Sequence, residues 1–124
     1  MQKFALFAGS INAMLAVVIG AFGAHGLKGR LTAEMLAVYQ TGVQYHFYHS
    51  LGLIIIGVLA FHLPASVLLK WSARIMLAGI FLFSGSLYLL ALTNINWLGM
   101  ITPLGGIAFI VAWLLLAKAA LDLK

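Results

Sequence analysis

The sequence predicts an all-α polytopic membrane protein, with four transmembrane helices in a compact bundle and residues 1–124 as one domain. Three observations carry that expectation. Of the 124 residues, 65% are hydrophobic and only 7% charged, against about 25% charged in soluble domains. Mean hydropathy is +1.14. The charges also fall between three long uncharged stretches and not within them.

The first stretch, Phe4 to Ala24, is long enough to cross roughly 30 Å of hydrocarbon as one helix and gives a span at 4–24. It exceeds the roughly 7–15 apolar residues of a secretory signal peptide, so it is expected to stay in the chain. The second stretch, Met35 to Leu69, is interrupted by Pro64 and gives a span at 43–62. The third, Ile75 to Ala117, would measure about 65 Å as one helix, too long for a single crossing. It divides at Thr93-Asn94-Ile95-Asn96, where asparagine favours a turn, into spans at 71–92 and 98–118.

Local signals refine these spans. Gly23, Gly26 and Gly29 end the first helix and turn the chain. Thr32 is placed to cap the next helix, with Glu34 in its first turn. Nothing from Thr32 to His62 breaks a helix, so this segment is either one long tilted helix or an interfacial helix bending near Gly42. Pro103 falls in the first turn of the fourth helix, where proline costs little.

Basic residues set the expected orientation. Lys3, Lys70, Arg74, Lys118 and Lys124 share one side, and only Lys28 and Arg30 lie on the other. Both termini are therefore expected in the cytoplasm. The net charge of +5 follows from this topology. Its basic residues are scattered and form no nucleic-acid motif.

Helices in lipid associate where small residues let backbones approach. Gly9, Ala13, Ala16, Gly20 and Ala24 recur three or four apart in the first span and form one candidate seam. Gly85, within Ser84-Gly85-Ser86, and the pair Gly105-Gly106 are further candidates.

The most polar part of any span is Gly42-Val-Gln-Tyr-His-Phe-Tyr-His-Ser-Leu-Gly-Leu53. With the second span ending near His62, His46 and His49 lie close to the outer boundary. His25, Asn94 and Thr102 reach a similar level. A polar cluster of His25, Gln44, Tyr45, His46, Tyr48, His49, Asn94 and Thr102 is therefore expected beneath the outer surface.

Three readings of this layer are open. The residues could bond neighbouring helices; His25, His46 and His49 could ligate a metal; or histidine could carry protons or a small solute. No carboxylate lies in any span, which disfavours a carboxylate-driven antiporter. Ile54 to Phe61 and Phe109 to Ala117 are apolar, which disfavours a water-filled pore. Cysteine is absent, as are paired carboxylates, a serine–histidine–acid set and a phosphate-cradling loop. No enzyme activity and no cofactor are expected.

Four motifs occur in order: Gly20-Ala-Phe-Gly-Ala-His-Gly-Leu-Lys28, Thr41-Gly-Val-Gln-Tyr-His-Phe-Tyr-His-Ser50, Leu82-Phe-Ser-Gly-Ser-Leu-Tyr88 and Leu98-Gly-Met-Ile-Thr-Pro-Leu-Gly-Gly106. Together they resemble the bacterial family called domain of unknown function 423, which is similar to eukaryotic transmembrane protein 256. The resemblance implies a small four-helix inner-membrane protein and transfers no catalytic role to any residue. The expected partners are the lipid bilayer and either further copies of the chain or another membrane protein. The expected role is a scaffold, assembly or accessory subunit. The rival is a small channel or transporter for protons, a metal ion or a small solute.

Overall fold

A computed structural model describes all 124 residues. Four helical segments cross the length of the molecule: α1 (Gln2–Leu27), α2 (Ala33–Leu59), α3 (Val67–Thr93) and α4 (Asn96–Ala120). There are no strands. Each segment is about 40 Å long at 1.5 Å per residue, more than the roughly 30 Å of a hydrocarbon core.

The ends of the helices follow from local chemistry. The last turn of α1, Gly23–Leu27, widens into a π-helical turn, after which the Leu27 carbonyl accepts from both Arg30 and Leu31. Gly29 turns the chain at φ +85°, a conformation that side chains disfavour. Thr32 then caps α2, its hydroxyl accepting from the Met35 amide at 3.1 Å. Of the two forms expected for this segment, the structure has the single long helix. It begins at Ala33, well before the span assigned from residue 43. Ser66 caps α3 through the Leu69 amide. Asn94 ends α3 in the left-handed region, at φ 58° and ψ 26°, which asparagine tolerates better than most residues.

The bundle is uneven. In its most apolar stretch, α2 is 44% buried and α3 39%, against 17% for each of α1 and α4. The first pair therefore forms the centre. Helix α1 packs on α2, and α4 packs on α3. Leu53, Ile56, Leu69, Ala73, Met76, Ile80, Phe109 and Ala112 make a continuous apolar core toward the basic end. At that end the Gln2 amide donates to the Ala60 carbonyl, which ties α1 to the end of α2.

Glycines set the approach of the helices. A Cβ on Gly9 would lie 2.8 Å from the Ser50 carbonyl oxygen of α2, and one on Gly57 2.8 Å from Leu6 of α1. On the other side, a Cβ on Gly79 would lie 2.6 Å from the Phe109 ring, and one on Gly105 would overlap the Phe83 backbone.

The expected small-residue positions divide accordingly. Gly9, Ala16 and Gly105 are buried, Ala13 and Gly20 half-buried, and Ala24 exposed. A Cβ on Gly20 would lie 3.0 Å from Val43 and one on Gly106 4.0 Å from Phe83, whereas one on Gly85 would meet nothing within 4 Å. Gly85 and Ala24 therefore hold no helix seam. Gly85 closes a π-helical turn, Phe81–Gly85, whose extra residue re-aims the serines on either side.

These contacts order the glycine substitutions. Gly105→Ala forces backbone apart and should cost about 1–3 kcal/mol. Gly85→Ala should be neutral or stabilising by up to about 1 kcal/mol, because alanine loses less backbone entropy in a helix. Unfolding in mild detergent measures both; equal losses would contradict the packing described.

Candidate functional site

The polar side chains that enter the bundle come mainly from α2. His46 is the central residue of that helix, roughly 20 Å from either end at 1.5 Å per residue. His49 lies one turn closer to the basic end. Both are buried, at 4% and 5% exposure. They lie near the middle of α2, which begins at Ala33, ten residues before the expected start of its span at 43.

The two imidazoles serve different seams. His46 Nε2 lies 2.9 Å from Asn12 Oδ1 on α1, and its Nδ1 lies 2.9 Å from the Tyr88 hydroxyl on α3. The Asn12 amide nitrogen donates to the Ala8 carbonyl at 2.8 Å, which turns Oδ1 toward the histidine. His46 therefore donates from Nε2 and accepts the Tyr88 proton on Nδ1. One imidazole holds three helices in register.

His49 has the opposite tautomer. The Trp113 indole N–H of α4 donates to His49 Nε2 at 3.0 Å, and an indole can only donate. The proton of the ring is then on Nδ1, which donates to the Tyr45 carbonyl at 2.7 Å. The ring also stacks on Phe109, with centroids 3.4 Å apart and planes 9° apart. Trp113 is thus a partner of the buried histidine.

Serines complete the bonding. Ser50 donates to the His46 carbonyl at 2.6 Å, Ser84 to the Gly42 carbonyl at 2.7 Å, and Ser72 to the Ala112 carbonyl at 2.7 Å. Ser86 and Thr102 share a bond of 2.6 Å between α3 and α4. The Tyr39 hydroxyl donates to the Ile19 carbonyl at 2.6 Å. Every buried side-chain nitrogen and oxygen has a partner.

The expected single cluster is therefore replaced by separate bonded sets. His46 and His49 belong to two of them, and Thr102 to a third. His25 is exposed at the C-terminal end of α1, and Asn94 is exposed in the turn between α3 and α4. Gln44, Tyr45 and Tyr48 have exposed side chains on α2. His25, His46 and His49 do not meet as a ligand set; no group of three or more histidines or carboxylates is placed to hold a metal. Tyr88 and Trp113 are the partners the sequence reading lacked. Their signal was a polar atom well inside an apolar span, as with Asn12.

A cleft of about 550 Å³ lies at the basic end between Phe4, Pro64 and Arg74. Shallower depressions of about 200 and 350 Å³ flank the seam of α1 and α2. None of these reaches His46 or His49.

The profile of the family described as "Protein of unknown function (DUF423)" matches residues 19–106. The chain belongs to this family. The match contains α2 and α3 whole, with His46, His49 and Tyr88, and stops short of Asn12 and Trp113. Full-length relatives extend over both. The UPF0382 membrane protein YwdK of Bacillus subtilis is 51% identical over 119 residues, 96% of this chain and 97% of its own. The UPF0382 membrane protein SERP0230 of Staphylococcus epidermidis is 44% identical over 120 residues, covering 97% of each chain. SAB0533 of Staphylococcus aureus, another UPF0382 membrane protein, is 46% identical over 118 residues and 95% of each chain. No solved structure matches. The protein is a membrane protein with four helices able to span a bilayer.

Replacing Asn12 by leucine leaves the His46 Nε2–H without an acceptor. Leaving a buried donor unpaired costs about 1–3 kcal/mol. Asn12→Leu, His46→Leu and the double variant should therefore be non-additive, with a coupling of about 0.5–2 kcal/mol by reversible unfolding in detergent. Additive losses would show that the two side chains do not bond.

Proposed function

We propose that the protein is a non-enzymatic scaffold or accessory subunit of the cytoplasmic membrane, with both termini on the cytoplasmic side. The observation that carries this reading is the closure of the polar interior. Each buried hydroxyl, imidazole and amide is consumed by a partner on the same or a neighbouring helix. A conducting path needs groups that exchange partners with a moving ion or proton, and a route to both surfaces.

Here the half of the bundle toward the basic end is filled by Leu53, Ile56, Leu69, Met76 and Phe109, which offer neither. The five-to-two distribution of basic residues supports the orientation. A protein whose interior is closed and whose surface is large and apolar acts through what packs against it.

Proteoliposomes loaded with a pH-sensitive dye test the choice between packing and conduction. Under an imposed proton gradient, the dye signal should decay at the rate of protein-free liposomes. Faster decay that is lost on His46→Gln would overturn the scaffold reading and favour a histidine-based path.

A further inference from the structure

The lipid-facing side of α2 poses a problem that the closed interior does not. Gln44 is exposed and lies eleven residues after Ala33, the start of α2. That is about 16 Å along the helix. With a 40 Å helix centred on a 30 Å core, about 5 Å of helix stands outside at each end, so Gln44 lies roughly 11 Å inside the hydrocarbon. A glutamine side chain is too short to return its amide to the headgroups from there. An unpaired amide in hydrocarbon costs several kcal/mol, so a partner is required. Gln40, one turn nearer the outer end, is exposed on the same side.

Gln44 is also set in a shaped surface. It borders a groove of about 350 Å³ between α1 and α2, where Val17 and Ala21 form the α1 wall, with Phe47 and Tyr48 beside it on α2. The small α1 side chains leave a depression next to an aromatic ridge.

We propose that this face binds the same face of a second copy of the chain, in a parallel dimer whose twofold axis runs along the membrane normal beside Gln44. Three features select a second copy over another protein. A carboxamide both donates and accepts, so it complements itself. A parallel copy places its own Gln44 at the same depth automatically. A twofold also sets the aromatic ridge of each chain over the α1 depression of the other, the self-complementary arrangement of an isologous interface. Polar side chains of this kind hydrogen-bond across helix interfaces in membranes, beside small residues that let the helices approach. The proposal deepens the packing reading above and rests on it for the protein's role, but the interface is testable by itself.

The chain contains no cysteine, so single cysteines report directly. Gln40→Cys, with Gln44 intact, should form a disulfide-linked dimer in native membranes under mild oxidation. Leu104→Cys, at a matching depth on the exposed side of α4, should give at least tenfold less. Adding Gln44→Leu to Gln40→Cys should lower its yield at least tenfold. Leucine is at home in lipid, and an unchanged unfolding temperature of the detergent-solubilised monomer shows that this variant folds. Native mass spectra from lipid nanodiscs give a second readout: dimer for the unmodified chain, monomer for Gln44→Leu.

A monomeric unmodified chain in nanodiscs, equal cross-linking at positions 40 and 104, or cross-linking of position 40 to a different protein would each overturn the proposal. A dimer that dissipates a proton gradient would instead overturn the scaffold reading and leave the interface standing.

Discussion

The His46 imidazole bonds α1 through Asn12 and α3 through Tyr88, and its position on α2 fixes the rotation of the helix that the others surround. In hydrocarbon no water can satisfy a displaced donor. A slip or rotation of α2 by one residue would therefore strand Asn12, Tyr88, Trp113 and Ser84 together, since each is bonded to α2. Hydrogen bonds between membrane helices contribute only about 0.6–2 kcal/mol apiece. Their larger effect is the penalty they impose on every other register.

The bulk of the cohesion comes from close packing. Lipid chains are as apolar as leucine, so burying Leu53 or Met76 gains little through the hydrophobic effect, and contact density must supply the stability. That accounts for glycines where backbones and rings meet, at Gly9 and Gly57 between α1 and α2, Gly42 and Gly52 toward α3, and Gly79 and Gly105 between α3 and α4. It also accounts for the serines that donate to carbonyls across or along helices. A hydroxyl occupies little more space than a methyl group and adds a bond without separating the helices.

Much of the fold was legible in the sequence, and less of the site. Composition and three uncharged stretches identify four membrane helices, and Thr32, Gly29, Asn94 and Pro103 mark ends by chemistry that needs no tertiary context. The full length of α2 was hidden for a specific reason. Gln40, Gln44 and Tyr45 lower the local hydropathy, so the second span appears to start late, whereas α2 runs unbroken from Ala33. The partners were hidden because they depend on rotation about each helix axis. The π-helical turn at Phe81–Gly85 changes that rotation within α3, sending Ser84 toward Gly42 and Ser86 toward Thr102. A uniform 100° per residue does not anticipate such a change. Trp113 lies near the end of an apolar run, where tryptophan usually marks the interface, while here its N–H has an acceptor inside.

Two histidines three residues apart are held in opposite tautomers by partners on different helices. Solid-state nitrogen-15 spectra of histidine-labelled protein in lipid bilayers, assigned with His46→Gln and His49→Gln, test it most directly. A proton is expected on Nε2 of His46 and on Nδ1 of His49, with both rings protected from exchange with bulk water. The same tautomer at both positions, or rapid exchange with water at either ring, would contradict it.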